Sequence, residues 1–191
     1  PSSFSYHNSW WPYYKSLNDY FTRLSFGLSQ GAQLNDVLVI EPTTSAWMYA
    51  VYRRPHERFK EIGQSFQDFV TTIEKAQVEY DLGSEYIIKE HGKVVDKQFV
   101  VGNRTYTTVV IPPGMENIDE TTFRLLKEYA GNGGKILQFE KLQRINGAAD
   151  PELRHFDAAY SDIQRLNRLD TAVIEKYLRA GKCRIRHNGG Y

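Results

Sequence analysis

The segment TTVVIPPGMENIDETTFRLLKEYAGNGGKILQF, residues 107–139, decides the fold of this chain. It holds two short apolar runs, residues 107–111 and residues 135–139, and such runs are typical of strands that are buried on both faces. Between them, Asp119 is a suitable N-cap for a helix, and Gly133 is a suitable end for it. A strand, a helix and a second strand in this order predict two parallel strands joined by a crossover helix.

The same alternation continues on both sides of this segment. Further β structure is predicted over residues 36–41, 78–82, 93–101 and 183–186. Further helices are predicted over residues 55–77 and 84–89, after Asp150 with Leu153, Phe156, Tyr160, Ile163 and Leu166 at helical spacing, and from Asp170 to Leu178. Residues 32–191 are therefore expected to form a flavodoxin-like three-layer α/β sandwich with a mainly parallel sheet.

Residues 1–31 are predicted to form a separate unit, an aromatic segment with a long amphipathic helix from about Ser9 to Gln30. One apolar stripe recurs at spacings of four and three residues and consists of Trp10, Tyr14, Leu17, Phe21, Leu24 and Leu28. A second apolar side holds Trp11, Tyr13 and Tyr20. A helix that is apolar on two sides needs two neighbours. Because the sequence opens at Pro1 with this helix, we expect the chain to be a piece of a longer protein.

The composition narrows the classes of function. The sequence has 24 Lys and Arg against 23 Asp and Glu, which argues against a nucleic-acid partner, because such a partner needs a basic surface. No apolar run approaches the roughly 20 residues of a membrane span. The five His residues are scattered without metal-ligand spacing, so no metal site is expected. The single Cys183 lies in a terminal segment, so thiol catalysis at a strand-to-helix elbow is not expected.

Two loops of the predicted sheet are candidates for a ligand site. Ligands of doubly wound sheets bind beyond the carboxyl ends of the strands, where the strand order reverses. Three hydroxyls, Thr43, Thr44 and Ser45, follow the first strand, and Gly114 lies in the loop after residues 107–111. These loops would suit the phosphate of a flavin in an independent small-molecule-binding module. Alternatively the hydroxyls only cap the next turn, because the first loop lacks a glycine that lets the backbone approach an anion. No cofactor is assigned on this pattern.

A pair of carboxylates offers a catalytic alternative. Glycosidases use two carboxyl groups about 5–10 Å apart, and Glu41 and Glu140 end two of the predicted strands. The same side chains would otherwise be loop residues that pair with Arg53 or Lys141. No catalytic residue is therefore assigned in this chain.

The aromatic segment YHNSWWPYY, residues 6–14, has the composition of a sugar platform. Flat aromatic faces stack on the C–H faces of pyranose rings, and His and Asn supply hydrogen bonds. His7, Trp10 and Trp11 are the candidates for contact with carbohydrate. Packing against a neighbouring domain is an equal alternative, because Trp10 belongs to the helical stripe and Trp11 does not.

The run SYHNSWWPYYKSLNDYFTRLSFGLSQGAQLNDVLVIEPTTSAWM, residues 5–48, resembles the segment that leaves the catalytic (β/α)8 barrel in large bacterial glycoside hydrolases. It is most similar to family 106 α-L-rhamnosidase-type proteins, and its layout is similar to the junction between barrel and second domain in family 42 β-galactosidases. Residues 66–85 and 108–137 resemble the second and third units of the flavodoxin-like, glutamine-amidotransferase-like domain that follows. The resemblance covers nearly the whole chain, with a fairly specific opening and a generic α/β part.

This resemblance implies a noncatalytic accessory domain of a multidomain glycoside hydrolase that acts on polysaccharide. The catalytic carboxylates would lie in the barrel, upstream of Pro1, so none is carried over to this chain. The domain would support that barrel or form subunit contacts, including contacts between copies of itself, and residues 6–14 would lie near the barrel mouth. The resemblance also makes a periplasmic or secreted location plausible, although the chain itself carries no signal for either.

Overall fold

The computed structural model describes residues 5–31, 35–51 and 56–178. The chain divides into two compact units, Pro1–Leu34 and Asn35–Tyr191. The predicted strand over residues 183–186 lies outside the described residues. Among the described helices, none combines the length and the apolar character that a membrane crossing requires.

The first unit is a helix that starts with a tighter turn. A 3₁₀ turn over Trp11–Tyr13, with Pro12 near its start, leads into α1, Tyr14–Leu28. Pro suits this place because its missing N–H is unpaired there in any case. No residue of α1 is buried, and the apolar side chains Leu17, Phe21 and Leu24 are exposed.

The second unit is built on a five-stranded parallel sheet. Its strands are β1 (Val37–Ile40), β2 (Asp81–Gly83), β6 (Thr108–Ile111), β8 (Lys135–Gln138) and β11 (Ile163–Arg165). They lie in the order β11-β8-β6-β1-β2, and every neighbouring pair is parallel. Numbered along the chain, this is the order 2-1-3-4-5, which is consistent with a flavodoxin-like layout. All residues of β1 and β6 are buried, as the predicted α/β class requires.

Helices cover both faces of this sheet. The described helices of the unit are α2 (Thr43–Trp47), α3 (Glu57–Lys75), α4 (Glu85–His91), α5 (Glu120–Gly131), α6 (Leu153–Ala159) and α7 (Thr171–Leu178). Side chains of α3 and α7 pack with Val39 and Leu137, whereas side chains of α4, α5 and α6 pack with Leu38 and Ile136. Because neighbouring residues of a strand point to opposite faces, these are the two faces of one sheet.

Two smaller sheets flank the main one. β3 (Gly92–Val95), β4 (Gln98–Val101) and β5 (Arg104–Tyr106) form an antiparallel sheet with a turn at Gly102. This sheet confirms the β structure predicted over residues 93–101. β7 (Asn117–Ile118), β9 (Arg144–Ile145) and β10 (Ala148–Ala149) form the other. The sequence analysis did not predict this second sheet, because strands of two residues carry no periodicity.

The predicted helix after Asp150 is wrong in its second half. α6 ends at Ala159, and Ile163 begins β11 at the edge of the parallel sheet. Ile163 and Leu166 pack on opposite faces of the sheet, as residues three apart do on an extended chain. Apolar residues three and four apart occur on a helix and also along a strand that is buried on both faces. Assignment by periodicity alone therefore took β11 for a continuation of the helix. Helix α2 is a second correction, since the sequence analysis placed Thr43, Thr44 and Ser45 in a loop after the first strand.

Candidate functional site

The strand order reverses between β1 and β6, so the crevice for a ligand is expected beyond the carboxyl ends of these two strands. The segments that meet there are α2, which follows β1, the start of α4, which follows β2, and residues 112–119, which follow β6. Three small polar clusters connect these segments. We call them together the crevice network and describe each in turn.

The first cluster joins α2 to β7 through Ser45. The Ser45 hydroxyl donates to the carbonyl of Asn117 at 3.1 Å and accepts from the backbone N–H of Asn117 at 2.9 Å. Both residues are buried. One hydroxyl therefore satisfies both the N–H and the carbonyl of Asn117 in β7.

The second cluster is centred on Glu85, at the first position of α4. Its carboxylate accepts from the Thr44 hydroxyl at 2.5 Å and from the backbone N–H of Asp119 at 2.7 Å. The side chain is 5% exposed, and this burial raises the pKa of Glu85 to about 6, with a further upward contribution from the Asp119 charge. The two hydrogen bonds act in the opposite direction. Glu85 therefore links the segments that follow β1, β2 and β6.

The third cluster is an ion pair with an aromatic partner. Glu116 accepts from the Tyr49 hydroxyl at 2.5 Å and from the Arg58 guanidinium at 3.0 Å. The hydrogen bond to Glu116, together with burial, raises the pKa of Tyr49. The Tyr49 ring lies 5.4 Å from the His56 ring, and His56 caps α3 by accepting from the Arg58 N–H. This cluster fixes the start of α3 against the loop after β6.

Two of the remaining loop candidates have a structural place. Gly114 has a φ of +82°, and a Cβ at this position would lie 3.3 Å from Ile62 of α3. Its N–H donates to Glu140 at 3.4 Å, so Glu140 lies against the crevice loop. Thr43 is half-buried at the first position of α2. Glycine at position 114 thus serves a left-handed turn that packs against a helix.

In the first unit Trp10 and Trp11 share one aromatic neighbour, Tyr14, whereas the ring contact of His7 is with Tyr6. The Trp11 and Tyr14 rings are nearly parallel, with centroids 5.6 Å apart, and Trp10 lies 5.6 Å from the same Tyr14 ring. The His7 ring lies 3.9 Å from Tyr6. Trp10 and Trp11 are 41% and 40% exposed, so both keep a large part of their surface open to solvent.

Sequence reasoning missed the acidic half of the crevice network. Glu85 and Glu116 were not singled out, and neither was Asn117. The signal for Glu85 was its position near the start of the helix predicted over residues 84–89, just after the strand predicted over residues 78–82. Gln138 was missed as well: it is buried at the end of β8, and its two side-chain polar atoms have no hydrogen-bond partner within the described structure. No group of His, Cys, Asp and Glu suited to a metal ion occurs among the described residues.

Comparison with known proteins adds no assignment. No protein-family model matches this sequence. No curated protein shows significant similarity to it. A functional assignment for this chain therefore depends on its fold and on the crevice network.

Proposed function

We propose that this chain is a noncatalytic, flavodoxin-like accessory domain of a multidomain glycoside hydrolase. The observation that carries the proposal is the crevice network. At the place where a doubly wound sheet usually binds a ligand, the polar side chains bond to one another and to the backbone of the neighbouring loop.

The hydroxyls that suit a phosphate take part in this network. The hydroxyl of Ser45 is used by Asn117, and that of Thr44 by Glu85. A flavin phosphate at this place would have to displace these bonds and would lie beside the Glu85 and Glu116 carboxylates, which repel an anion. The network therefore supports a scaffold more than it supports the alternative flavin-binding module.

The exposed apolar surface of the first unit supports the proposal that this unit packs against another domain. Helix α1 exposes apolar side chains on more than one side, among them Leu17, Tyr20 and Phe21. Soluble helices of this composition normally bury such a surface against a neighbour. In the proposed parent, that neighbour is the catalytic barrel, and the resemblance of residues 5–48 to a barrel exit is the basis for naming it.

The experiment compares the isolated chain with the product of the complete gene. Both are assayed for release of p-nitrophenol from p-nitrophenyl glycosides, including the α-L-rhamnoside and the β-D-galactoside. We expect activity only from the complete product. Hydrolysis by the isolated chain that is lost in Glu41→Gln, Glu85→Gln or Glu140→Gln would overturn the noncatalytic role.

A second measurement tests the alternative. The purified chain is titrated with flavin mononucleotide, and flavin fluorescence is followed. We expect no quenching beyond that given by serum albumin as a control. Saturable quenching that is abolished by Ser45→Ala, in a variant that keeps the far-ultraviolet circular dichroism of the wild type, would replace the scaffold proposal by the flavin-binding one.

A further inference from the structure

A pocket of about 280 Å³ lies at the carboxyl edge of the parallel sheet beside α3, and none of its lining residues belongs to the crevice network. Its lining includes residues from the segments that follow β6, β8 and β11. Pro113 and Phe139 contribute apolar surface, which we call the floor of the pocket. This is the edge of the sheet at which doubly wound proteins bind ligands. None of the candidates from the sequence lines it.

Polar groups from two separate segments line this pocket, and we call these two segments its rims. Ser65 and Asp68 are three residues apart on α3 and therefore lie on the same side of that helix. Asn167 and Arg168 come from the segment between β11 and α7. The rims thus offer a hydroxyl, a carboxylate, an amide and a guanidinium around an apolar floor, which is the usual composition of a small-molecule site.

The size of the pocket limits the ligand. A volume of about 280 Å³ lies at the lower end of the range for ligand pockets, which begins at about 300 Å³, and this size suits a small ligand such as a single six-membered ring. The floor is held in place by backbone bonds, because Phe139 N–H donates to Ile111 and Leu166 N–H donates to Gln138, each at 2.9 Å. The Phe139 ring also packs edge-on against Phe69, with centroids 5.0 Å apart.

The charges of the lining select a neutral ligand. Asp68 and Arg168 cancel each other formally, and Arg168 lies 3.5 Å from a further carboxylate, Asp170. A phosphate or carboxylate ligand needs a net positive lining, which these residues do not provide. A compound with several hydroxyls can donate to Asp68, accept from Arg168 and do both with Asn167. Its C–H groups suit the apolar floor.

From this lining we propose that the pocket binds a neutral monosaccharide. The proposal does not rest on the noncatalytic role argued above, because none of its lining residues takes part in the crevice network. It also differs from the aromatic segment as a sugar site, since His7, Trp10 and Trp11 belong to the first unit.

The test is a titration of the full chain, labelled with ¹⁵N, with L-rhamnose, D-galactose and D-glucose, followed by amide chemical shifts. We expect saturable shifts at residues 65–68 and 166–169 with a dissociation constant of about 1–10 mM for one of these sugars, as small neutral ligands give. Asp68→Ala should weaken binding by about tenfold, which corresponds to the loss of a hydrogen bond to a charged group. Gln67→Ala is the matched control, because this exposed neighbour on α3 lies outside the pocket and should leave binding unchanged.

Three results would overturn the proposal. One is the absence of saturable shifts with all three sugars up to about 100 mM. Another is binding that is unaffected by Asp68→Ala and by Asn167→Ala in variants with wild-type melting curves. The third is binding that disappears in the Trp10→Ala/Trp11→Ala double variant, because this would assign the sugar to the aromatic segment. Inorganic phosphate serves as the anionic comparison and should produce no shifts at these residues.

Discussion

Helices α1 and α3 carry the same kind of sequence pattern and have different environments. Both repeat apolar residues at spacings of three and four, α1 through Leu17, Phe21 and Leu24, and α3 through Ile62, Phe69 and others. In α3 both named residues are fully buried, and Phe69 packs with residues of the parallel sheet, whereas α1 has no buried residue. An amphipathic pattern therefore predicts that a helix needs a packing neighbour, but it does not identify which segment or domain that neighbour is.

The largest expected effect is at the buried end of this comparison. Phe69→Ala removes a ring that is fully buried among α3, β1 and β8 residues and that contacts Phe139. We expect the free energy of unfolding to fall by about 3–5 kcal/mol, because the lost burial and the resulting cavity add. Urea unfolding followed by circular dichroism measures it. A loss below about 1 kcal/mol would contradict the packing of α3 described above.

The next effect concerns the attachment of α3 to the crevice. Glu116→Ala leaves Tyr49 and Arg58 without their shared carboxylate, and we expect a loss of about 2 kcal/mol. The value stays moderate because Arg58 is partly exposed to water. Glu61→Ala is the control: this exposed carboxylate pairs with the same guanidinium and should cost less than about 0.5 kcal/mol. Equal losses in the two variants would contradict a special role for Glu116.

A pH-dependent effect of similar or smaller size is expected at Glu85. Its pKa is raised from 4.5 to about 6 by burial, so folding favours the protonated form. The contribution to stability is complete below pH 4.5, declines as the pH rises through 6, and amounts to about 2 kcal/mol at most. Glu85→Gln should remove this decline.

The measurement for Glu85 is the free energy of unfolding at several pH values between 4 and 7.5, in wild type and variant. The difference between the two curves is the relevant quantity, because Asp81 has a lowered pKa and makes the total stability rise with pH at the acidic end. Parallel curves for the two proteins would contradict a pKa of Glu85 that is raised by burial.

The smallest effect is expected at the exposed end of the comparison. Phe21→Ala on α1 should change the free energy of unfolding of the sheet unit by less than about 0.5 kcal/mol, since the side chain is half-exposed and no residue of α1 is buried. The same urea experiment as for Phe69 gives the value. In the product of the complete gene the same substitution should be costly if α1 packs on a barrel, which sharpens the contrast with α3.

The main features of the sheet unit could be predicted from local sequence. Residues 107–139 contain a strand, a capped helix and a second strand, and Asp119 indeed caps α5 by accepting from the Thr121 N–H. Strand β11 could not be predicted in the same way, because Ile163 and its neighbours satisfy the helical spacing equally well. What decides between the two is the open edge of β8, whose backbone pairs with β11, and this is a long-range contact.

The candidate site was predictable only in part. The rule that ligands bind beyond the carboxyl ends of the strands correctly located Thr44, Ser45 and Gly114 at one edge of the sheet, because the carboxyl ends of parallel strands share that edge. The partners of Thr44 and Ser45 are Glu85 and Asn117, which come from other segments, up to 73 residues away in the case of Thr44 and Asn117. No local pattern marks such a partner, since it is defined by the register of three strands.

The sequence by itself determined the α/β class, the burial of β1 and β6 and the N-cap of α5. These features follow from apolar runs, capping residues and glycines, which act within a few residues of themselves. The tertiary structure decided the strand order, the place of β11, the crevice network and the pocket beside α3. These depend on which segments meet across the sheet edge, and the free energy of such contacts lies in burial and hydrogen bonds between residues far apart in the chain.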